Sequence, residues 1–238
     1  MSVNEVRALL ARMDRADLHS VLDVLRKEHK LVIHPIEEAW STTAEAVLEA
    51  IYAAPDLTQR GVRGVLAEAI FRTTVVPSIG GWKAIDFEGD LPYDLLMDPR
   101  DGREPLKVQV KNQRRERGIP KVIAKLAASD GSPVYAVETQ RTRTGKRAGD
   151  DGQQTATRPY RFGEFDLLAV CLHPSSGSWE DFIYCPANLL IARPSEPDLL
   201  AVMQPIYTDG SNGWTRDFGK AAAATYSLAR GEGDPSSY

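Results

Sequence analysis

From Leu106 to Lys111 apolar and polar residues alternate with a period of two, which predicts a half-buried strand. Leu106, Val108 and Val110 fall on one face, and Lys107, Gln109 and Lys111 on the other. Pro99 and Gly102 precede this run and allow the chain to turn back. A hairpin there sets Asp94, just before the apolar Leu95, Leu96 and Met97, near Gln109 and Lys111. That brings a carboxylate, an amide oxygen and an ammonium to one spot.

The rest of the pattern supplies a frame. Residues 2–54 read as helices, with Ser2 and Asp14 as N-caps, Thr42 and Glu45 as a capping box, and breaks at Pro35 and Pro55. Residues 58–73 read as a helix whose apolar face is Val62, Val65, Leu66, Ala69 and Ile70, and which carries Glu68. Residues 82–87 read as a short strand or an exposed loop, and 119–128 as containing a helix with Val122, Ile123 and Leu126 inward. Residues 134–140 form a strand, 165–172 a fully buried strand, and 181–185 its neighbour. Glu164 and Asp166, beside the buried strand, read as structural acids. A short helix starts at 189–191, a terminal helix covers 218–229, and 231–238 is a polar tail expected to be disordered. Strands interleaved with helices indicate the α/β class.

Composition narrows the function classes. At 238 residues the chain is long enough to bury a core, and 42% hydrophobic with 26% charged residues is ordinary for a globular protein. A net charge of −4 means that nucleic acid would be met by a local basic face. No apolar run approaches a membrane span. Cys171 and Cys185 lie in apolar runs, and no signal peptide is evident, so buried free thiols in a reducing cytoplasm are expected. Four scattered histidines argue against zinc. No Walker loop, Rossmann fingerprint or nucleophile elbow occurs.

Two basic stretches stand out. Asn112, Gln113, Arg114 and Arg115 follow the alternating strand, where a nearby phosphodiester would be gripped. Residues 141–160 are polar and glycine-rich and hold Arg141, Arg143, Lys146 and Arg147. Both read as DNA-contacting segments, or more simply as solvated loops.

Asp94 in Pro92-Tyr93-Asp94, with Gln109-Val110-Lys111 further on, resembles the signature of the PD-(D/E)xK nuclease superfamily, with one residue inserted in the first part and glutamine at the second acid. Some members of that superfamily carry this QxK variant, and in many a preceding helix delivers a glutamate, here matched by Glu68. The resemblance implies a restriction-endonuclease-like core, a mixed β-sheet flanked by helices, spanning residues 56–230 after an N-terminal helical region at 1–55. It implies a metal-dependent DNA endonuclease, most simply a type II restriction endonuclease acting on double-stranded DNA as a homodimer. Mg²⁺, with Mn²⁺ as a substitute, would be held by Asp94, Gln109, the Val110 carbonyl and Glu68, and Lys111 would position or activate water. The alternatives are a nuclease fold that binds DNA without cutting, a resolvase or repair nuclease, and an interaction protein built on the N-terminal helices.

Overall fold

The computed structural model describes residues 2–89, 91–140 and 159–232. The chain divides into two compact units, Met1–Gln59 and Arg60–Tyr238. Arg141, Arg143, Lys146 and Arg147, and the tail from residue 233, lie outside the described residues.

The first unit holds helices α1 (Val3–Leu10), α2 (Arg15–His29), α3 (Ile36–Trp40) and α4 (Ala44–Ala53). Ser2 and Asp14 cap α1 and α2 as expected, Ser2 through a full capping box with Glu5. At α4 the cap is Thr43 rather than Thr42: its side chain accepts from the Ala46 N–H, one position later than the capping-box spacing suggests. No residue of these four helices is buried. A polar hub joins them instead. Arg26 of α2 pairs with Glu37 of α3 at 3.1 Å and Glu45 of α4 at 2.6 Å, while Glu37 also accepts from the Ile33 and Ala44 N–H groups. Those backbone donors and Arg26 hold the Glu37 carboxyl below its ordinary pKa.

Helix α5 (Asp56–Ile70) runs into the second unit and continues as a π-helical turn, Phe71–Val75, then a short α6 (Val76–Ser78). Its inward face differs from the expected one. Ala67 and Phe71 are buried, whereas Val65 is 67% and Leu66 39% exposed. The buried line is Ala67 and Phe71, four residues apart, and the π turn carries it on to Val75 and Val76.

The strands that follow are β1 (Lys83–Ile85), β2 (Leu95–Asp98), β3 (Leu106–Asn112), β4 (Arg115–Glu116), β5 (Ile119–Pro120), β6 (Val122–Ala127), β7 (Pro133–Glu138) and β8 (Leu167–Cys171). After a short α7 (His173–Ser176) come β9 (Phe182–Pro186), a 3₁₀ turn (Ala187–Leu189), β10 (Ala192–Arg193), β11 (Glu196–Leu200), β12 (Met203–Ile206) and α8 (Phe218–Ala229). The main sheet has the order β1-β2-β3-β8-β9, with β3 and β8 parallel and the other neighbours antiparallel. It is thus a mixed sheet in an α/β fold, and helices flank it.

One face carries Leu95, Met97, Val108, Val110, Leu167 and Ala169, and meets Ala67, Phe71 and Val75 together with Phe218, Ala221 and Ala222 of α8. The other carries Leu168, Val170 and Ile183 and packs on Val137 and Ile206 of a second sheet, ordered β12-β7-β6. Every residue of β8 and β9 is buried, as their unbroken apolar runs lead one to expect. Cys171 and Cys185 are buried free thiols, and burial raises the Cys171 thiol to about 11.

Residues 119–128 contain no helix. Arg117 (φ 51°) and Gly118 (φ 85°) form a two-residue hairpin turn between β4 and β5, and β6 then pairs with β7. Consecutive left-handed residues are what tight hairpins require. Val122 and Leu126 match a helical spacing but are 47% and 40% exposed on the outer strand of the small sheet, where pairing with β7 overrides local preference.

Candidate functional site

The β2–β3 hairpin builds the site. Leu95 lies opposite Val108 and Leu96 opposite Lys107, and just ahead of β2 the ladder departs from this register, the Asp94 N–H donating to the Val108 carbonyl at 3.0 Å. The Asp94 carboxylate accepts the Val110 N–H at 2.8 Å and the Gln109 side-chain amide, both on Oδ2. The same Gln109 amide donates to the Val110 carbonyl at 3.2 Å. Gln109 is 1% exposed, and a buried amide is retained without penalty only when paired in this way.

Glu68 of α5, Asp94 and Lys111 share one electrostatic neighbourhood. Burial raises the Asp94 pKa, opposed by Lys111, the Val110 N–H, Gln109 and Arg72. Glu68 is raised by burial and by the charge of Asp94, with Arg72 and Lys111 opposing. Lys111 is lowered by burial against the pull of Asp94, Glu68 and Glu138. All three groups are therefore pushed toward their neutral forms, as expected of ionisable groups withdrawn from water without full compensation.

Three further side chains meet this cluster. Arg72, on the π turn, donates to the Asp94 carbonyl at 3.1 Å and pairs with Asp86 at 3.4 Å. Glu138, at the end of β7, pairs with Arg60 at 3.7 Å and Arg114 at 3.5 Å and accepts from Gln140. The Tyr160 hydroxyl lies 3.4 Å from Lys111 Nζ. Arg72 stands four residues after Glu68, a helical spacing that the sequence displays. Glu138 and Tyr160 come from strands and loops remote in sequence and leave no local sign.

The basic stretch after β3 is placed in part. Gln113 is buried, with its N–H on the Cys171 carbonyl and both side-chain amide atoms without a hydrogen bond. Asn112 is half-buried, Arg114 faces Glu138, and Arg115 lies in β4. Gln140 and Pro159, on either side of residues 141–158, pair in a β-bridge. Asp166 is structural as expected: it accepts the Lys107 N–H at 2.8 Å and pairs with Lys107 Nζ at 3.5 Å. Glu164 accepts the Arg161 N–H at 3.0 Å.

Among the described residues no group of three or more His, Cys, Asp or Glu side chains is arranged to hold a metal ion. The oxygen donors here are two carboxylates, Glu68 and Asp94, with the Gln109 amide and Val110 carbonyl beside them. That set suits a hard divalent cation: both hydrogen bonds to Asp94 fall on Oδ2, and Glu68 and Asp94 repel each other.

No protein-family model matches the chain, and no curated protein matches it. Among solved structures it is similar to a bacterial homing endonuclease, I-Ssp6803I, with 24% identity over 72% of this chain and 94% of that one and a TM-score of 0.40, a likeness too distant to bear on function. Among the described residues no helix is long and apolar enough to cross a membrane.

Proposed function

We propose that this chain is a metal-dependent DNA endonuclease of the PD-(D/E)xK superfamily in its QxK variant, hydrolysing phosphodiester bonds in double-stranded DNA as a type II restriction endonuclease does. The observation that supports this most is the joining of Asp94 to Gln109 and Val110 across the β2–β3 hairpin, with Glu68 and Lys111 in their field.

Asp94, Glu68 and the Val110 carbonyl would hold Mg²⁺, or Mn²⁺ in its place, with the Gln109 amide turned to present its oxygen. The ion would supply Lewis-acid stabilisation of the charge that gathers on the phosphorus oxygens. Lys111, held toward the amine by burial, positions the attacking water and accepts its proton as the new P–O bond forms and the bond to the leaving 3′-oxygen breaks. Its proximity to the phosphate also offsets the developing negative charge. Arg114 and Arg115, with Arg141, Arg143, Lys146 and Arg147 outside the described residues, would contact the DNA backbone. Residues 1–59 carry six Lys and Arg against ten Asp and Glu, so the duplex falls to the second unit. Cutting both strands of a palindrome calls for two related sites and hence a homodimer.

A second reading draws on glutamine standing where an acid usually does and on the absence of a three-acid cluster among the described residues: a nuclease fold that binds DNA without cutting. Plasmid DNA incubated with the protein and Mg²⁺, with EDTA, and with Asp94→Ala separates the two. Discrete fragments that need both Mg²⁺ and Asp94 support cleavage. Salt-sensitive binding with no fragments in Mg²⁺ or Mn²⁺ supports the binding module.

A further inference from the structure

Lys111 has a long, flexible side chain, and no carboxylate lies within ion-pair distance of its ammonium among the described residues. What meets it instead is Tyr160. The Tyr160 hydroxyl sits 3.4 Å from Nζ, at the long end of hydrogen bonding, and the ring centroid is 5.4 Å from Nζ.

Tyr160 is itself held from several sides. The residue is 4% exposed, its ring lies edge-on to Phe165 with centroids 5.3 Å apart, and it belongs to the core cluster of Leu168, Val170 and Ile183. Its carbonyl accepts the Leu200 N–H at 2.8 Å, and the neighbouring Pro159 pairs with Gln140. A ring fixed in this way leaves the hydroxyl one place to be. Tyrosine hydroxyl donates as well as accepts, so it can hold Nζ both as ammonium and as amine. A carboxylate in the same position would favour the ammonium alone.

We propose that Tyr160 is the positioning residue for Lys111, its hydroxyl holding Nζ at the point where the attacking water must sit. This rests on the nuclease reading for its consequence, though the Tyr160–Lys111 link stands on geometry of its own. The role is separate from packing, because phenylalanine would keep the ring, the Phe165 contact and the cation–π contact while losing only the hydroxyl.

Tyr160→Phe should lower kcat about tenfold with KM and DNA affinity unchanged, since the lost hydrogen bond acts on the water-positioning group and not on DNA. In a Lys111→Ala background the same change should cost nothing further, because the two residues act as one unit. Equal kcat for Tyr160→Phe and the wild type, or a full additional loss in the Lys111→Ala background, would overturn the proposal.

A second measurement does not depend on cleavage. Competitive acetylation at fixed pH, read residue by residue by mass spectrometry, should show Lys111 reacting several-fold faster in Tyr160→Phe while Lys107 keeps its rate. An unchanged Lys111 rate in a variant that melts at the wild-type temperature overturns the positioning role. Absence of cleavage by the wild type overturns the nuclease reading and leaves this labelling result to decide the positioning one.

Discussion

The two ends of β3 carry the same chemistry put to opposite use. At the near end Lys107 meets Asp166, whose carboxylate takes both the Lys107 N–H at 2.8 Å and Nζ at 3.5 Å, while Nζ also donates to the Gly163 carbonyl at 2.9 Å. Every partner there is satisfied. At the far end Lys111 shares its surroundings with Asp94 and Glu68, closes no ion pair with either among the described residues, and all three are shifted toward neutrality. Two lysines on one face of one strand, each beside an aspartate from a neighbouring segment, thus make a structural clip at one end and an incompletely compensated cluster at the other. Residual electrostatic conflict of this kind is what a bound cation and a phosphate would relieve, and it is where function is to be sought.

Changes at the far end should affect chemistry and those at the near end stability. Asp94→Ala should reduce DNA cleavage on the order of 10³-fold or more while the fold persists, measured as single-turnover rate alongside a melting curve. Asp166→Ala should do the reverse, lowering unfolding free energy by about 1–3 kcal/mol through an unpaired Lys107 N–H, with the cleavage rate per folded molecule kept. Denaturant titration combined with the same rate assay checks both halves.

Gln109→Glu sharpens the contrast. It replaces the amide that donates to Asp94 with a like charge, so the metal-free protein should lose about 1–3 kcal/mol. Mn²⁺ should restore that loss and raise the melting temperature more than it does in the wild type. A melting temperature that does not respond to Mn²⁺ in either protein would argue against a cation site.

The smallest effect is a pH slope. Glu68 and Asp94 are raised above their ordinary values, so in the metal-free protein the native state binds more protons than the unfolded chain between the ordinary and the raised pKa. Stability should therefore fall as pH rises through that window, and Asp94→Asn should flatten the slope. Urea midpoints from just above the ordinary carboxylate range to neutrality measure it.

The far end of β3 was legible in sequence because it is local: alternation sets the strand, Pro99 and Gly102 allow the turn, and the hairpin then brings the Asp94 carboxylate to the Gln109 amide and the Val110 N–H. The buried strands β8 and β9 were legible as continuous apolar runs. The side chains that finish the site were not, since Tyr160 reaches Lys111 across 49 residues and Glu138 enters from another sheet. The errors share a cause. Residues 119–128 have a helical spacing, and Val65 and Leu66 a helical face, but β7 recruits the first, and in the second the face that packs on the sheet is that of Ala67 and Phe71. Long-range pairing and packing decide such cases, and neither leaves a periodic mark.

Lys111→Ala and Lys107→Ala assayed side by side, on plasmid DNA in Mg²⁺ at matched folded concentration, test the central claim most directly. The nuclease reading predicts discrete fragments from Lys107→Ala at close to the wild-type rate and a loss of about 10²–10⁴-fold for Lys111→Ala. Equal rates for the two variants would contradict it.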